Sequence, residues 1–457
     1  MKRIPSLITA WGLALCANAQ AQSIPKLQFE KYSLPNGLQV ILHEDHSVPL
    51  VSVNVWYHVG SGDEDPGRTG FAHLFEHIMF MGSQNVPVNM FDVWLESAGA
   101  NNNGSTTEDR TNYYEDMPSN ALPLALWLEA DRMGWLLPTM DLPKLDLQRD
   151  VVQNERRQSY DNQPYGRSDE TILAALFPAD HPYSWPVIGS LKDLSAATLD
   201  DVKNFFRKYY APNNASISIA GDFDSAEVKQ LIEKYFSQIP RGPAITRKTD
   251  IPAPRIARDT FLLLEDKVQL PRLYYGWQSA KAFAADDAPL QLLGSIFGQG
   301  KTSRLYQRLV YELQVAQDVV AFQNAGRFDG QFRIVVTPKP GQTPAQMAKL
   351  VNEEMGKMVQ SGVTARELER AKNQLRAQYL DQLASVGGFS GKADLLNYYN
   401  FYVGNPDYIQ QDLARFEAVT AADIQRVARQ QFAKPKVVLT VVPEGQRELK
   451  VVAGGAQ

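Results

Sequence analysis

The chain repeats itself, and that limits its folds more than any other feature. A helical pattern runs from Asp201-Val202 through Phe205 and Tyr209 to Ala211-Pro212, and an apolar, strand-like segment follows at 215–220. The plan returns at Asp423-Ile424 through Val427 and Phe432 to Lys434-Pro435, ahead of the strand-like 437–442. Pro212 and Pro435 lie 223 residues apart, a domain-sized period. The starts match too. Residues 51–57 alternate as a strand and feed a helix from about Thr69, while 272–277 do the same before a helix near 288–297. A chain of 457 residues is too long for one core, so two units of like design are expected. Between them Pro240, Pro243, Pro252 and Pro254 mark a stiff connection. The expected division is a first domain at 26–239, a linker at 240–255 and a second domain at 256–445.

With 44% hydrophobic and 21% charged residues, the chain is neither disordered nor fibrous. A net charge of −5 gives no electrostatic case for nucleic acid. Lys2 and Arg3, the short apolar run at 7–17, and the A-x-A sites ending at Ala19 and Ala21 predict a signal peptide over 1–21. That run is too short to span a bilayer, and no later segment is long and apolar enough. The one cysteine, Cys16, falls inside it, so the processed chain has no disulfide and no thiolate ligand. An exported protein of this kind suits a bacterial periplasm, or secretion.

The chemistry concentrates at His73-Leu74-Phe75-Glu76-His77. On a helix, positions i and i+4 share a face, so both imidazoles can meet one ion, and two imidazoles suit Zn²⁺. Glu76 lies beside them, free to take a proton from a zinc-bound water as general base. Leu74, Phe75, Ile78, Met79 and Phe80 make the helix apolar almost all round, which predicts burial. A tetrahedral ion still needs a third protein ligand. Asp141 with Pro143 opens a second helix, running to about Tyr160. Leu147, Val151 and Glu155 fall at i, i+4 and i+8, which would set Glu155 on a buried stripe; Asp150, off that stripe, and Glu129 are the alternatives.

The HxxEH order, followed 78 residues later by Glu155 within Arg149-Asp150-Val151-Val152-Gln153-Asn154-Glu155, resembles the M16 metallopeptidases (pitrilysin, insulysin, mitochondrial processing peptidase). Asn103-Gly104-Ser105-Thr106, with Thr111 and Tyr113, resembles that family's substrate-binding edge strand. His181-Pro182-Tyr183, Pro186-Val187-Ile188-Gly189 and Ser303-Arg304-Leu305-Tyr306 continue the match, which is closest to the short two-domain bacterial branch. The resemblance implies an α+β fold of two duplicated domains, each a mostly antiparallel sheet with helices on one face. It implies one zinc per chain on His73, His77 and Glu155, and endopeptidase action on peptides or unfolded segments. It also implies a chamber enclosed by two such chains.

Two positions depart from the family pattern. Gln148 stands where a glutamate is usual, and its amide is expected to orient a ligand. Val310 and Gln317 stand where the family carries an Arg and a Tyr seven apart; Arg304 and Tyr311 have that spacing but come too early. The partner is then a homodimer mate, or a related chain supplying Arg and Tyr. The competing function is a non-catalytic scaffold subunit of the same fold.

Three other features are weaker. Gly300-Lys301-Thr302 lacks the first glycine of a phosphate loop, since Ser295 stands there. His43, Glu44, Asp45 and His46 are expected to form a solvated turn. The aromatics at 395–402 suit core packing more than a chamber wall.

Overall fold

The computed structural model describes residues 25–249, 251 and 256–453. The expected signal peptide lies outside the described residues. Six strands form the first sheet: β1 (Glu30–Ser33), β2 (Gln39–Glu44), β3 (Leu50–Tyr57), β4 (Asn101–Thr106), β5 (Thr111–Pro118) and β6 (Ala215–Gly221). Five form the second: β7 (Thr260–Asp266), β8 (Arg272–Ser279), β9 (Ala316–Ala325), β10 (Gly330–Pro338) and β11 (Val437–Pro443). The spatial orders are β1-β2-β6-β3-β5-β4 and β7-β11-β8-β10-β9. Apart from β1 the two orders are the same. Each sheet has one parallel pair, β2 with β6 and β7 with β11, and is otherwise antiparallel. The duplication seen in the sequence is therefore a duplication of topology. Residues 240–249 carry no regular structure.

Each half packs its own helices on one sheet face. Val51, Val53, Val55 and Tyr57 of β3 point into the core of the first half, with Leu74, Phe75 and Leu126 from its helices. The alternate residues Ser52, Asn54, Ser216 and Ser218 would face water if the other side were open, yet all four are buried. The helix Lys392–Val403, from the second half, covers them. Its Asn397 donates to the Asn54 carbonyl (2.8 Å) and accepts from Ser216 (2.7 Å), and its Asp394 accepts from the Trp56 indole (2.9 Å). Reciprocally, Ser168–Leu176 of the first half packs Ile172, Leu173 and Leu176 against Tyr274, Val437 and Leu439 of the second sheet. The two halves thus exchange a covering helix.

His43 departs from the solvated-turn expectation. It ends up buried on β2, with Nδ1 2.6 Å from the Gln28 carbonyl, because the strand runs two residues past Leu42. His46 does lie in the exposed turn, paired with Asp222. Among the described residues no helix is long and apolar enough to cross a membrane.

Candidate metal centre

The helix Phe71–Ile78 buries Phe71, Ala72, Leu74, Phe75 and Ile78, which leaves His73, Glu76 and His77 on its one less apolar face. Gly70 precedes it in the left-handed region (φ 89°) and offers no capping side chain. A Cβ there would sit 2.6 Å from the Ile188 carbonyl, so glycine is required. The missing cap is replaced from a distance. Glu64, buried, accepts from the backbone N–H of Gly70 (3.0 Å) and Ala72 (2.8 Å) and from the Trp185 indole (3.1 Å). Burial pushes its carboxyl up, and these three donors oppose that. Sequence reasoning missed Glu64; the signal was a helix start, Thr69-Gly70, without a capping side chain in the Ncap position.

The helix Leu142–Arg156 begins on Asp141, whose carboxylate accepts from the Lys144 N–H (3.0 Å). A π-helical turn, Arg157–Asp161, follows it. The helix brings Glu155 to the histidines: Oε2 lies 3.3 Å from His77 Nε2 and 3.7 Å from His73 Nε2. One donor atom from each of the three residues lies within 4.8 Å of the others. Ligands 2.0–2.1 Å from a tetrahedral metal stand about 3.4 Å apart, so the spacing fits a zinc ion. The side chains are 12%, 24% and 40% exposed for His73, His77 and Glu155, which leaves an open side.

The route by which Glu155 gets there differs from the expected one. Leu147 and Val151 are 52% and 39% exposed, and the helix buries Leu145 and Val152 instead. Glu155 faces the histidines from the flank of that buried line. Asp150 is exposed, and Glu129 is buried in an ion pair with Arg132. Neither belongs to the three-residue cluster. Gln148 donates to Met81 Sδ (2.7 Å) and not to a ligand, so its expected orienting role is not met by direct contact.

Protonation favours metal binding. Burial, helped by the neighbouring His77, pushes His73 down to about 4, so its ring is neutral as a ligand must be. The hydrogen bond from His77 holds Glu155 below the usual carboxylate range. Burial raises Glu76, against a 2.6 Å hydrogen bond from the Thr106 hydroxyl to Oε2.

Asn103, Gly104, Ser105 and Thr106 form most of β4, which among the described residues pairs with β5 alone, leaving its other edge without a strand. Gly104 passes so close to the metal helix that a Cβ would lie 3.0 Å from Glu76 Cγ. Ser105 Oγ bonds Asn112 (2.6 Å), and Arg110 clamps the Ser105 carbonyl (2.9 Å). In the second half Arg304 is tied to Glu367 (2.6 Å) and the Gly362 carbonyl (2.7 Å). Tyr311 and Gln317 are exposed, and Val310 packs against the second core. Tyr183 of the family-like stretch links the halves, donating to Asp109 (2.6 Å) and accepting from the Phe328 N–H (3.1 Å).

Two family descriptions match the chain: "Insulinase (Peptidase family M16)" over residues 39–182 and "Peptidase M16 inactive domain" over 196–375. A zinc protease of Helicobacter pylori, PqqE, is 30% identical over 448 residues, covering 94% of this chain and 96% of that one. A crystal structure of a protease from Helicobacter pylori is similar at TM-score 0.81 and 26% identity, covering 92% of this chain and all of that one. The periplasmic protease PqqL of Escherichia coli, at TM-score 0.77 and 21% identity, shares the fold; 95% of this chain matches half of that one.

Proposed function

The chain belongs to the M16 peptidase family, and on that premise we propose that it is a zinc-dependent endopeptidase cleaving peptides or unfolded segments. The observation that carries the reading is the His73–His77–Glu155 cluster, with Glu76 beside it on the same helix. His73, His77 and Glu155 would hold one Zn²⁺. When bound, zinc activates water for attack on a peptide carbonyl.

The rest falls to this chain's own residues. The free edge of β4 adds an extended peptide as a further strand and sets its carbonyl beside the cluster. Gly104 permits that approach by leaving room for Glu76. The Thr106 hydroxyl fixes Glu76 Oε2 and leaves Oε1 to take the proton from the attacking water. As the C–N bond breaks, Glu76 returns that proton to the leaving nitrogen, so no net proton is consumed. Burial of Glu76 raises its proton affinity, which suits both steps.

The export pattern at residues 1–21 supports a periplasmic or secreted enzyme. Val310 and Gln317, where the family has Arg and Tyr, favour a working unit with a related chain that supplies the pair, over a homodimer. The two chains would enclose the cleft. The test is hydrolysis of an unstructured peptide mixture by the zinc-loaded chain against Glu76→Gln with zinc retained. Turnover should fall by about 10²–10⁴ in the variant. Equal turnover would remove Glu76 as the base. Full turnover by the single chain alone would remove the heterodimer.

A further inference from the structure

Two hairpin turns that correspond in the duplicated halves meet each other. In the first half the turn 107–110 joins β4 to β5, and in the second the turn 326–329 joins β9 to β10. The Arg327 N–H donates to Asp109 Oδ2 (2.7 Å), and the Phe328 N–H to the Tyr183 hydroxyl (3.1 Å). A Cβ on Gly326 would collide with that hydroxyl, so glycine lets the second turn dock. From this tip the Arg327 side chain enters the first half. Its Nη2 donates to Asp63 Oδ1 (3.1 Å), and its Nε lies 4.0 Å from Asp109 Oδ1. The Arg327 and Asp63 side chains are only 19% and 10% exposed, so water and salt screen the pair little.

Asp63 ends a short 3₁₀ turn, Ser61–Asp63, and that turn touches both parts of the candidate site. On one side it rests on the turn after the substrate strand. The Ser61 and Gly62 N–H groups donate to the carbonyls of Thr107 (3.1 Å) and Glu108 (2.8 Å). On the other side the next residue is Glu64, which takes the Gly70 and Ala72 N–H groups at the start of the metal helix. Both Glu64 oxygens accept, as those of an ionised carboxylate do. Burial pushes this carboxyl up to about 8, and the Asp63 charge adds to the push. Arg327 offsets that charge. Without it Asp63 is left withdrawn from water, unpaired, one residue from Glu64.

We propose that Arg327 is a positioning residue for the metal centre: through Asp63 and then Glu64, the second half sets the start of the helix that carries His73 and His77. The proposal rests on the peptidase reading for its metal. Arg327 bonds to neither histidine; it acts through a continuous series of buried hydrogen bonds, each between named atoms. The same 3₁₀ turn holds the carbonyls of Thr107 and Glu108, so a shift of Asp63 is felt by the substrate strand as well.

Arg327→Met in the full chain removes the guanidinium and keeps a long apolar stem. Zinc affinity, measured by chelator competition, should fall about tenfold. Hydrogen exchange before zinc is added should quicken about tenfold in peptides spanning residues 60–80, and not only in those of the turn 326–329. Double-mutant cycles separate positioning from a general loosening between the halves. In an Asp63→Asn background no charge is stranded, and in a Glu64→Ala background the remote cap is already gone. Arg327→Met should then cost less than about threefold in either readout. If Arg327→Met does not fold, Arg327→Lys is read in its place; it keeps the charge, loses the planar fork, and should give a smaller loss in the same peptides. The proposal is overturned if zinc affinity or exchange at 60–80 stays at the wild-type level, or if the full loss persists in either background. A wild-type chain that binds no zinc would sink the peptidase reading, and exchange at 60–80 would still decide the role of Arg327.

Discussion

Replacing Glu64 with alanine should loosen the helix that carries His73 and His77, although Glu64 touches neither. Among the described residues the buried carboxylate is the only acceptor for the Gly70 and Ala72 N–H groups at that helix start, at 3.0 and 2.8 Å. Alanine strands both donors away from water, at about 1–3 kcal/mol each. The Trp185 indole loses less, because it also donates to the Ser61 carbonyl (3.1 Å). Removing a carboxylate that burial disfavours returns part of the cost, so the net loss is about 2–4 kcal/mol. Hydrogen exchange of peptides spanning residues 64–80 reads this locally, with protection falling about 30- to 1000-fold. Zinc affinity should fall with it, since His73 lies in the first turns of the helix. Glu64→Gln keeps one carbonyl acceptor and should lose about half as much in free energy. Unchanged exchange in Glu64→Ala would show that the helix start needs no remote cap, and would refute the reasoning.

Glu155→Gln should weaken zinc binding more than roughly 100-fold, beyond what residues that merely support a ligand contribute; chelator competition with the intact affinity would remove Glu155 from the ligand set. Gly104→Val should crowd Glu76 Cγ and the Tyr113 ring, 3.0 and 3.2 Å from the new Cβ, and lower turnover about 10–100-fold at full zinc content; normal turnover would mean β4 can move aside. Arg132→Met strands two buried carboxylates, Glu115 and Glu129, and should cost about 3–5 kcal/mol in urea unfolding. Burial, and next the Glu129 charge, push Glu115 well above the usual carboxylate range. Its contribution to stability is full below the unfolded value near 4.3 and is lost as pH rises toward the folded value. Glu115→Gln should therefore gain on wild type by up to about 1.4 kcal/mol per pH unit between pH 5 and 8; parallel profiles would contradict this.

The metal helix was legible because its signal is local. His73, Glu76 and His77 lie within five residues, and the apolar residues between them fix which side is buried. Glu155 was a harder case. The i, i+4, i+8 series predicted a buried stripe through Leu147 and Val151, whereas the helix packs on Leu145 and Val152. Spacing along one helix says which residues share a face, and not which face its neighbours cover. The choice of Glu155 over Asp150 and Glu129 rested on the family resemblance. Ser52, Asn54, Ser216 and Ser218 misled in the same way. Alternation marks them as solvent-facing, and only a helix nearly two hundred residues away, or further, buries them.

That exchanged helix also explains how two copies of one topology come to share a cleft. In the second half the corresponding helix, Asp287–Gly298, buries Leu292, Leu293, Ile296 and Phe297 and carries no ligand. The second copy has turned the metal-bearing position into core. It reaches the first half's chemistry by another path, because Lys392–Val403 lies across β2, β3 and β6. Asn397 and Asp394 lock that helix to the sheet, and the lock sets Tyr398 and Tyr402 over the turn that follows Thr106. Glu76, at β4, and the covering helix, across β2, β3 and β6, are thus held to opposite faces of one sheet. A substitution such as Asn397→Leu, which removes the Asn54 and Ser216 hydrogen bonds while keeping the bulk, should loosen the covering helix before it disturbs the metal cluster. The comparison that decides is hydrogen-exchange protection of residues 392–403 against zinc affinity in that variant. Loss of zinc affinity with that protection intact would mean that Asn397 supports the metal half and does not lock the covering helix.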